Sequence, residues 1–83
     1  MSMAKPSPSH AGANKLVALG LTIRELRLAH NLSQEAFADE AGLDRSYIGG
    51  IERGEHNLAL VSLIKISATL GLTASQLLHR AKI

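Results

Sequence analysis

Residues 34 to 51 read QEAFADEAGLDRSYIGGI, and this stretch, Gln34 to Ile51, decides the fold. Two short helical runs share it, with only Gly42, Leu43 and Asp44 between them. Ser33 precedes Gln34, Glu35 and Ala36 as a helix start whose hydroxyl can cap free backbone amides, and Asp44 opens the second run in the same way. So short a connection forbids antiparallel packing with full overlap, so the two helices must cross at a steep angle. Ala38 lies four residues before Gly42. Its small side chain lets the second helix approach, and the glycine can take the positive φ that the turn demands. Phe37, Ala41, Leu43, Ile48 and Ile51 are then expected to face inward together.

Outward from this pair the chain continues in helical periods. Leu16, Leu19, Ile23, Leu26 and His30 are spaced three and four apart, one face of an amphipathic helix from about Asn14 to Ala29, broken at Asn31 and Leu32. The helix capped by Ser33 ends at Gly42, and the one capped by Asp44 runs to Arg53, stopped by Gly54. Glu55 to Asn57 form a loop. Leu58 to Leu70 supply Leu60, Leu63, Ile64, Ile66 and Leu70 to a fourth helix ended by Gly71. Thr73 caps a fifth helix, which carries Leu77 and Leu78. Met1 to Ser9, with Lys5, Pro6, Ser7, Pro8 and Ser9, has almost nothing to bury and two residues that resist helix. The spacing therefore predicts a flexible arm over residues 1–13 and one all-α domain over residues 14–83, its steeply crossed pair spanning about 34–53.

Composition bounds what such a domain can do. The chain has 83 residues, enough for one core, and its 46% hydrophobic content includes only 2% aromatic, so the core must be aliphatic. There is no cysteine, which removes disulfides and thiolate metal sites. The net charge of +2, with a pI near 9.4, is compatible with nucleic acid but does not demand it. No apolar run approaches the roughly 20 residues of a membrane-spanning helix. Met1 to His10 lacks the order of a secretory signal, so a cytoplasmic location is expected. The histidines His10, His30, His56 and His79 have no pair at helical spacing, so no metal is expected. Asp39 and Glu40 are adjacent on a helix and point about 100° apart, so they cannot converge on one substrate atom. Gly49-Gly50 sits inside a predicted helix, not between strand and helix, so it is no nucleotide loop. Nothing here assembles an enzyme's acid, base or nucleophile, and no cofactor is implied.

Two short helices joined so tightly form the pattern of a helix-turn-helix. In that motif the first helix spans the DNA backbone, and the second presents its N-terminal residues to base edges in the major groove. Three runs carry a resemblance: Leu32-Ser33-Gln34-Glu35-Ala36-Phe37-Ala38, Ala41-Gly42-Leu43, and Tyr47-Ile48-Gly49-Gly50-Ile51-Glu52-Arg53-Gly54. Through them the sequence resembles the Cro/C1-type (XRE-family) helix-turn-helix proteins of bacteria and their phages, over roughly Leu19 to Leu78. The resemblance implies a five-helix, lambda-repressor-like DNA-binding domain. Leu43-Asp44-Arg45-Ser46-Tyr47-Ile48 with Ile51-Glu52-Arg53 is further similar to the controller proteins of restriction-modification systems, small dimeric switches that regulate their own promoter.

Several side chains acquire roles on this basis. Gln34 matches the family position that hydrogen-bonds a phosphate and braces the reading side chains; without that role it is an exposed helix-start glutamine. Arg45 and Ser46, beginning the recognition helix, are the candidates for base reading, since arginine pairs bidentately with guanine and serine meets a base or a phosphate. Tyr47 can rest against thymine methyls, meet a phosphate, or form a core edge. Gly49 and Gly50 depart from the family, where the position of Gly50 often carries a base-reading side chain, so a shorter reading surface is expected. Glu52 is structural by the same resemblance, pairing with Arg27, and Ala38, Gly42 and Ile48 shape the motif. Arg53, His56 and Asn57 follow the recognition helix; Arg53 and Asn57 are assigned to phosphates, although a basic residue at a helix C-terminus also favours the dipole. Leu77 and Leu78, with Ile83 beyond, are expected at a homodimer surface. Val17, Leu21 and Leu28 form a second apolar stripe, either packed beneath other elements or part of that surface.

The expected function is sequence-specific binding of double-stranded DNA as a transcription regulator, a homodimeric repressor or autoregulator that reads a palindromic operator in the major groove. The alternative is a protein-interaction module, an antitoxin masking a toxin, with DNA binding secondary.

Overall fold

A computed structural model describes residues 14–83, and the expected N-terminal arm lies outside them. The described residues form five α-helices and no strand: α1 (Asn14–Ala29), α2 (Gln34–Ala41), α3 (Arg45–Glu52), α4 (Leu60–Thr69) and α5 (Ala74–Arg80). No single described helix is long and apolar enough to cross a membrane.

Each boundary has a local cause. α1 ends where Asn31 takes a left-handed conformation at φ 60°, which brings the Leu32 N–H back to the Arg27 carbonyl at 3.2 Å. Ser33 Oγ accepts from the Ala36 N–H at 3.0 Å and starts α2. Gly42 closes α2 at φ 71°, its N–H and that of Leu43 returning to the last turn's carbonyls. Thr73 begins α5 with a reciprocal pair: Thr73 Oγ1 accepts from the Gln76 N–H and Gln76 Oε1 accepts from the Thr73 N–H. Between α4 and α5 the chain bends by 83°.

The core is aliphatic around one ring. Leu19 and Ile23 of α1, Phe37 and Ala38 of α2, Ile48 and Ile51 of α3, Leu63, Ile66 and Leu70 from α4 and its end, and Leu77 of α5 form one buried cluster. Ala41 is buried beside it and Leu43 half-buried, as the hydrophobic pattern predicts. Gly20 is what lets α1 and α3 meet. A Cβ there would lie 2.6 Å from the Glu52 carbonyl oxygen and closer still to that of Ile51, so any side chain would push the two backbones apart. Gly54 adds a second close approach, taking φ 77° with its backbone against Val17.

Three expectations change. α4 begins at Leu60 rather than Leu58: Ala59 is its N-cap and supplies no side-chain acceptor, while Leu58 packs half-buried against the core from the loop. Leu60 and Ile64 do not enter the core. The buried stripe of α4 runs through Leu63, Ile66, Ser67 and Leu70, and Leu60, Val61 and Ile64 fall on the opposite face at 67%, 64% and 52% exposure. Ser67 is tolerated inside because its hydroxyl donates to the Leu63 carbonyl at 2.7 Å. The third correction concerns Leu77. It is fully buried within its own chain, at 0% exposure, so it cannot meet a second copy; Leu78 is half-buried. Inward-facing volume at the end of α5 was needed to close a small bundle, and Leu77 fills it.

Candidate nucleic-acid interface

The N-terminus of α3 is held open by its cap. The Asp44 carboxylate accepts from the Ser46 N–H at 3.1 Å, the Tyr47 N–H at 3.3 Å, and the Ser46 hydroxyl. That hydroxyl, then the Tyr47 amide, holds the carboxyl below the ordinary aspartate range. From this cap Arg45 and Ser46 project into solvent, and among the described residues Arg45 makes no ion pair. Ser46 spends its proton on Asp44, so it faces outward chiefly as an acceptor. Tyr47 is half-buried: one side packs against the core, and its ring stands 5.1 Å from that of His56 at 52°.

Ile48, Ile51 and Glu52 turn the other side of α3 into the protein. Arg27 Nε donates to Glu52 Oε2 at 2.6 Å, Arg27 Nη2 to Glu52 Oε1 at 3.0 Å, and Arg27 Nη1 to the Leu32 carbonyl at 2.8 Å. Both side chains are buried, and the bond to Glu52 raises the Arg27 guanidinium above its ordinary value. Gln34 Nε2 donates to the same Glu52 Oε1 at 3.0 Å. One carboxylate thus ties α1, the start of α2 and the end of α3 together. The expected Arg27–Glu52 pair is present, and Gln34 is bonded to Glu52 on the inner side of α3.

The remaining residues gather at the exit of α3. Arg53 pairs with Glu55, Nε to Oε2 at 2.8 Å and Nη2 to Oε1 at 3.2 Å, both side chains more than half exposed. An exposed pair of this kind is weak and can open toward a phosphate. Asn57 lies exposed in the following loop. Sequence reasoning missed the place of His56. Gly50 is buried although it lies one turn beyond the exposed Ser46, because the His56 imidazole covers it: a Cβ on Gly50 would sit 2.5 Å from His56 Cδ2 and closer still to Nε2. No spacing rule links a helix glycine to a histidine six residues on in a loop.

The arrangement presents a short helix, anchored on one side and polar on the other, with its first turn free. Residues 23–77 match the helix-turn-helix family. The chain is 47% identical over 62 residues to the control protein C.MunI of Mycoplasma sp, covering 74% of this chain and 84% of that protein. It is also similar to the crystal structure of the restriction-modification controller protein C.AhdI from Aeromonas hydrophila. There the TM-score is 0.74 at 47% identity, over 77% of this chain and 97% of the other. The master regulator for biofilm formation SinR, solved in complex with DNA, superposes with a TM-score of 0.68 at 33% identity, over 72% of this chain and 97% of the other. With the α2–α3 pair, its glycine turn and the buried Arg27–Glu52 lock all in place, the chain belongs to the Cro/C1-type (XRE) helix-turn-helix family of DNA-binding transcription regulators.

Proposed function

We propose that the chain is a cytoplasmic homodimeric repressor that reads a palindromic operator through α3, with Arg45, Ser46 and Tyr47 on base edges and Gln34, Arg53 and Asn57 on flanking phosphates. One observation carries this reading: Arg45 is exposed and makes no ion pair among the described residues, at the first turn of a helix whose opposite face is locked into the core. An uncommitted guanidinium on a rigid helix matches the bidentate edge of guanine. The structural relative SinR, solved in complex with DNA, supports DNA as the partner.

A single short helix reads only a few base pairs, so a specific site calls for two copies about one helical turn apart. With Leu77 buried, the surface for the second copy moves to α4, where Leu60, Val61 and Ile64 form the most exposed apolar group among the described residues. Occupying the operator excludes polymerase. The input is the protein's own concentration, sharpened by coupled dimerisation and binding.

Selection of bound duplexes from a random pool, followed by affinity measurement across a salt series, tests this. A palindrome bound at least about a thousandfold tighter than random DNA is expected. Arg45→Ala should cost about 1–3 kcal/mol on that site and relax one position, whereas Lys65→Ala on α4 should matter little. Equal effects would place the reading surface wrongly. Sedimentation of Ile64→Asp as a monomer, against a dimeric parent, tests the α4 contact.

A further inference from the structure

We propose that His56 is a specificity-determining residue, the side chain that reads a base from the place Gly50 leaves empty on the outward face of α3. The proposal rests on the DNA-reading role of α3 given above. Ser46 and Gly50 stand four residues apart, on the same face of the helix, and that face is opposite to Ile48, Ile51 and Glu52. A helix lying in the major groove presents this face to base edges over successive turns, yet Gly49 and Gly50 offer none of their own. On this reading the loop extends the short reading surface that the helix alone offers. Ile51 and Glu52 close α3, Gly54 reverses the chain at φ 77°, and the Glu55 N–H returns to the Gly50 carbonyl at 2.9 Å. That last bond brings the loop back over the helix it has just left, and His56 falls across Gly50.

The imidazole is supported on two sides. The Gly50 backbone lies beneath it, and the Tyr47 ring, itself packed against the core, stands beside it at 5.1 Å. Its remaining surface is exposed. The Nε2–Cδ2 edge of the ring faces Gly50, which leaves Nδ1 on the far side to make one hydrogen bond, and a single bond of that kind suits one atom of a base's major-groove edge, such as a purine N7. Supported in this way, the ring reaches the groove with less freedom to lose than a long flexible side chain on the helix would have. The glycine is then no defect of the recognition helix: it is the socket for a reading group delivered from outside it.

Operator selection and quantitative binding with the full chain test the inference. His56→Ala should lose base preference at one position in each half-site, a position other than the one relaxed by Arg45→Ala. Its operator affinity should fall about tenfold, the size of a single base contact, while affinity for random duplex stays unchanged. His56→Gln should exchange the preferred base and not abolish preference. Gly50→Ala fills the socket and should relax the same position as His56→Ala, and the double variant should be no worse than His56→Ala alone. Thermal unfolding of each variant checks the fold, and alanine at a helix-interior glycine favours the helix, so lost preference cannot be blamed on melting α3. Equal losses on operator and random duplex would make His56 a phosphate contact and overturn the proposal, as would unchanged selection by His56→Ala or by Gly50→Ala. A parent chain that enriches no site overturns both this inference and the regulator reading; an enriched site with His56 indifferent overturns this one alone.

Discussion

Arg45 and Glu52 stand at the two ends of the same eight-residue helix and are treated in opposite ways. Glu52 is buried, paired with Arg27, and bonded again by Gln34, so its charge is fully spent inside the protein. Arg45 is exposed and makes no ion pair or side-chain hydrogen bond among the described residues. The difference separates two jobs that one short helix must do. A group that holds the helix must find all its partners within the chain, because an unpaired buried charge is strongly unfavourable. A charge that reads DNA is best left without an ion-pair partner until DNA arrives, because such a bond would have to break first. Glycines divide along the same line. Gly20 presses its bare backbone onto the end of α3 from the inner side, whereas Gly49 and Gly50 on the outer side meet only side chains, those of Arg53, Gln34 and His56.

The inner side should break first. Arg27→Ala or Glu52→Ala each strands a buried charge and should cost about 3–5 kcal/mol in urea unfolding, a large part of the stability of so small a domain. Replacing both by apolar residues, Arg27→Met with Glu52→Leu, should recover most of that loss. If either single variant unfolds at the parent's midpoint, Glu52 is not the tie between α1, α2 and α3. Next in size is Gly20→Ala. Its methyl meets the carbonyls of Ile51 and Glu52, which are backbone and cannot turn aside, so about 1–3 kcal/mol should be lost as α1 and α3 separate. An unchanged midpoint would mean that the helices slide without cost, and the rigid side of the comparison would no longer be rigid.

How much of this was legible in the sequence follows the same division. Caps and turns are local, so Ser33, Gly42, Asp44, Gly54, Gly71 and Thr73 punctuate the chain where the helices begin and end. Periodicity placed Phe37, Ile48 and Ile51 inside, and resemblance paired Arg27 with Glu52. What failed was non-local. Leu60 and Ile64 satisfy a helical pattern as well as Leu63 and Ile66 do, and only the packing of α4 against its neighbours chooses between the two faces. Leu77 looks available for a partner until the bundle closes over it. His56 reaches Gly50 because Gly54 reverses the chain, and Gly20 matters because α3 ends against it; neither relation has a fixed spacing in the sequence. Gly49 and Gly50 looked like losses to the helix, since their neighbours in space were not visible.

The smallest effect is the most discriminating, because it places one substitution on both sides of the helix. Gly49→Ala adds the same methyl as Gly20→Ala, but its nearest neighbours are the Arg53 Nη1 atom at 3.2 Å and the Gln34 Oε1 atom at 3.7 Å. The first is the tip of an exposed side chain that can shift by a few tenths of an ångström, and the second is ordinary van der Waals contact. With no backbone in the way, the loss of a flexible glycine from a helix interior should dominate, stabilising the chain by about 0.5–1 kcal/mol. Base preference should stay as in the parent, since the methyl faces Gln34 and Arg53 and not the Ser46–Gly50 face. Opposite signs for the two alanines, read in the same urea titration, would establish that α3 is packed on one side and spacious on the other. A destabilised Gly49→Ala would mean that Gln34 and Arg53 are held as firmly as the core, and the freedom assigned to the outer face would then shrink to Arg45 and the His56 socket.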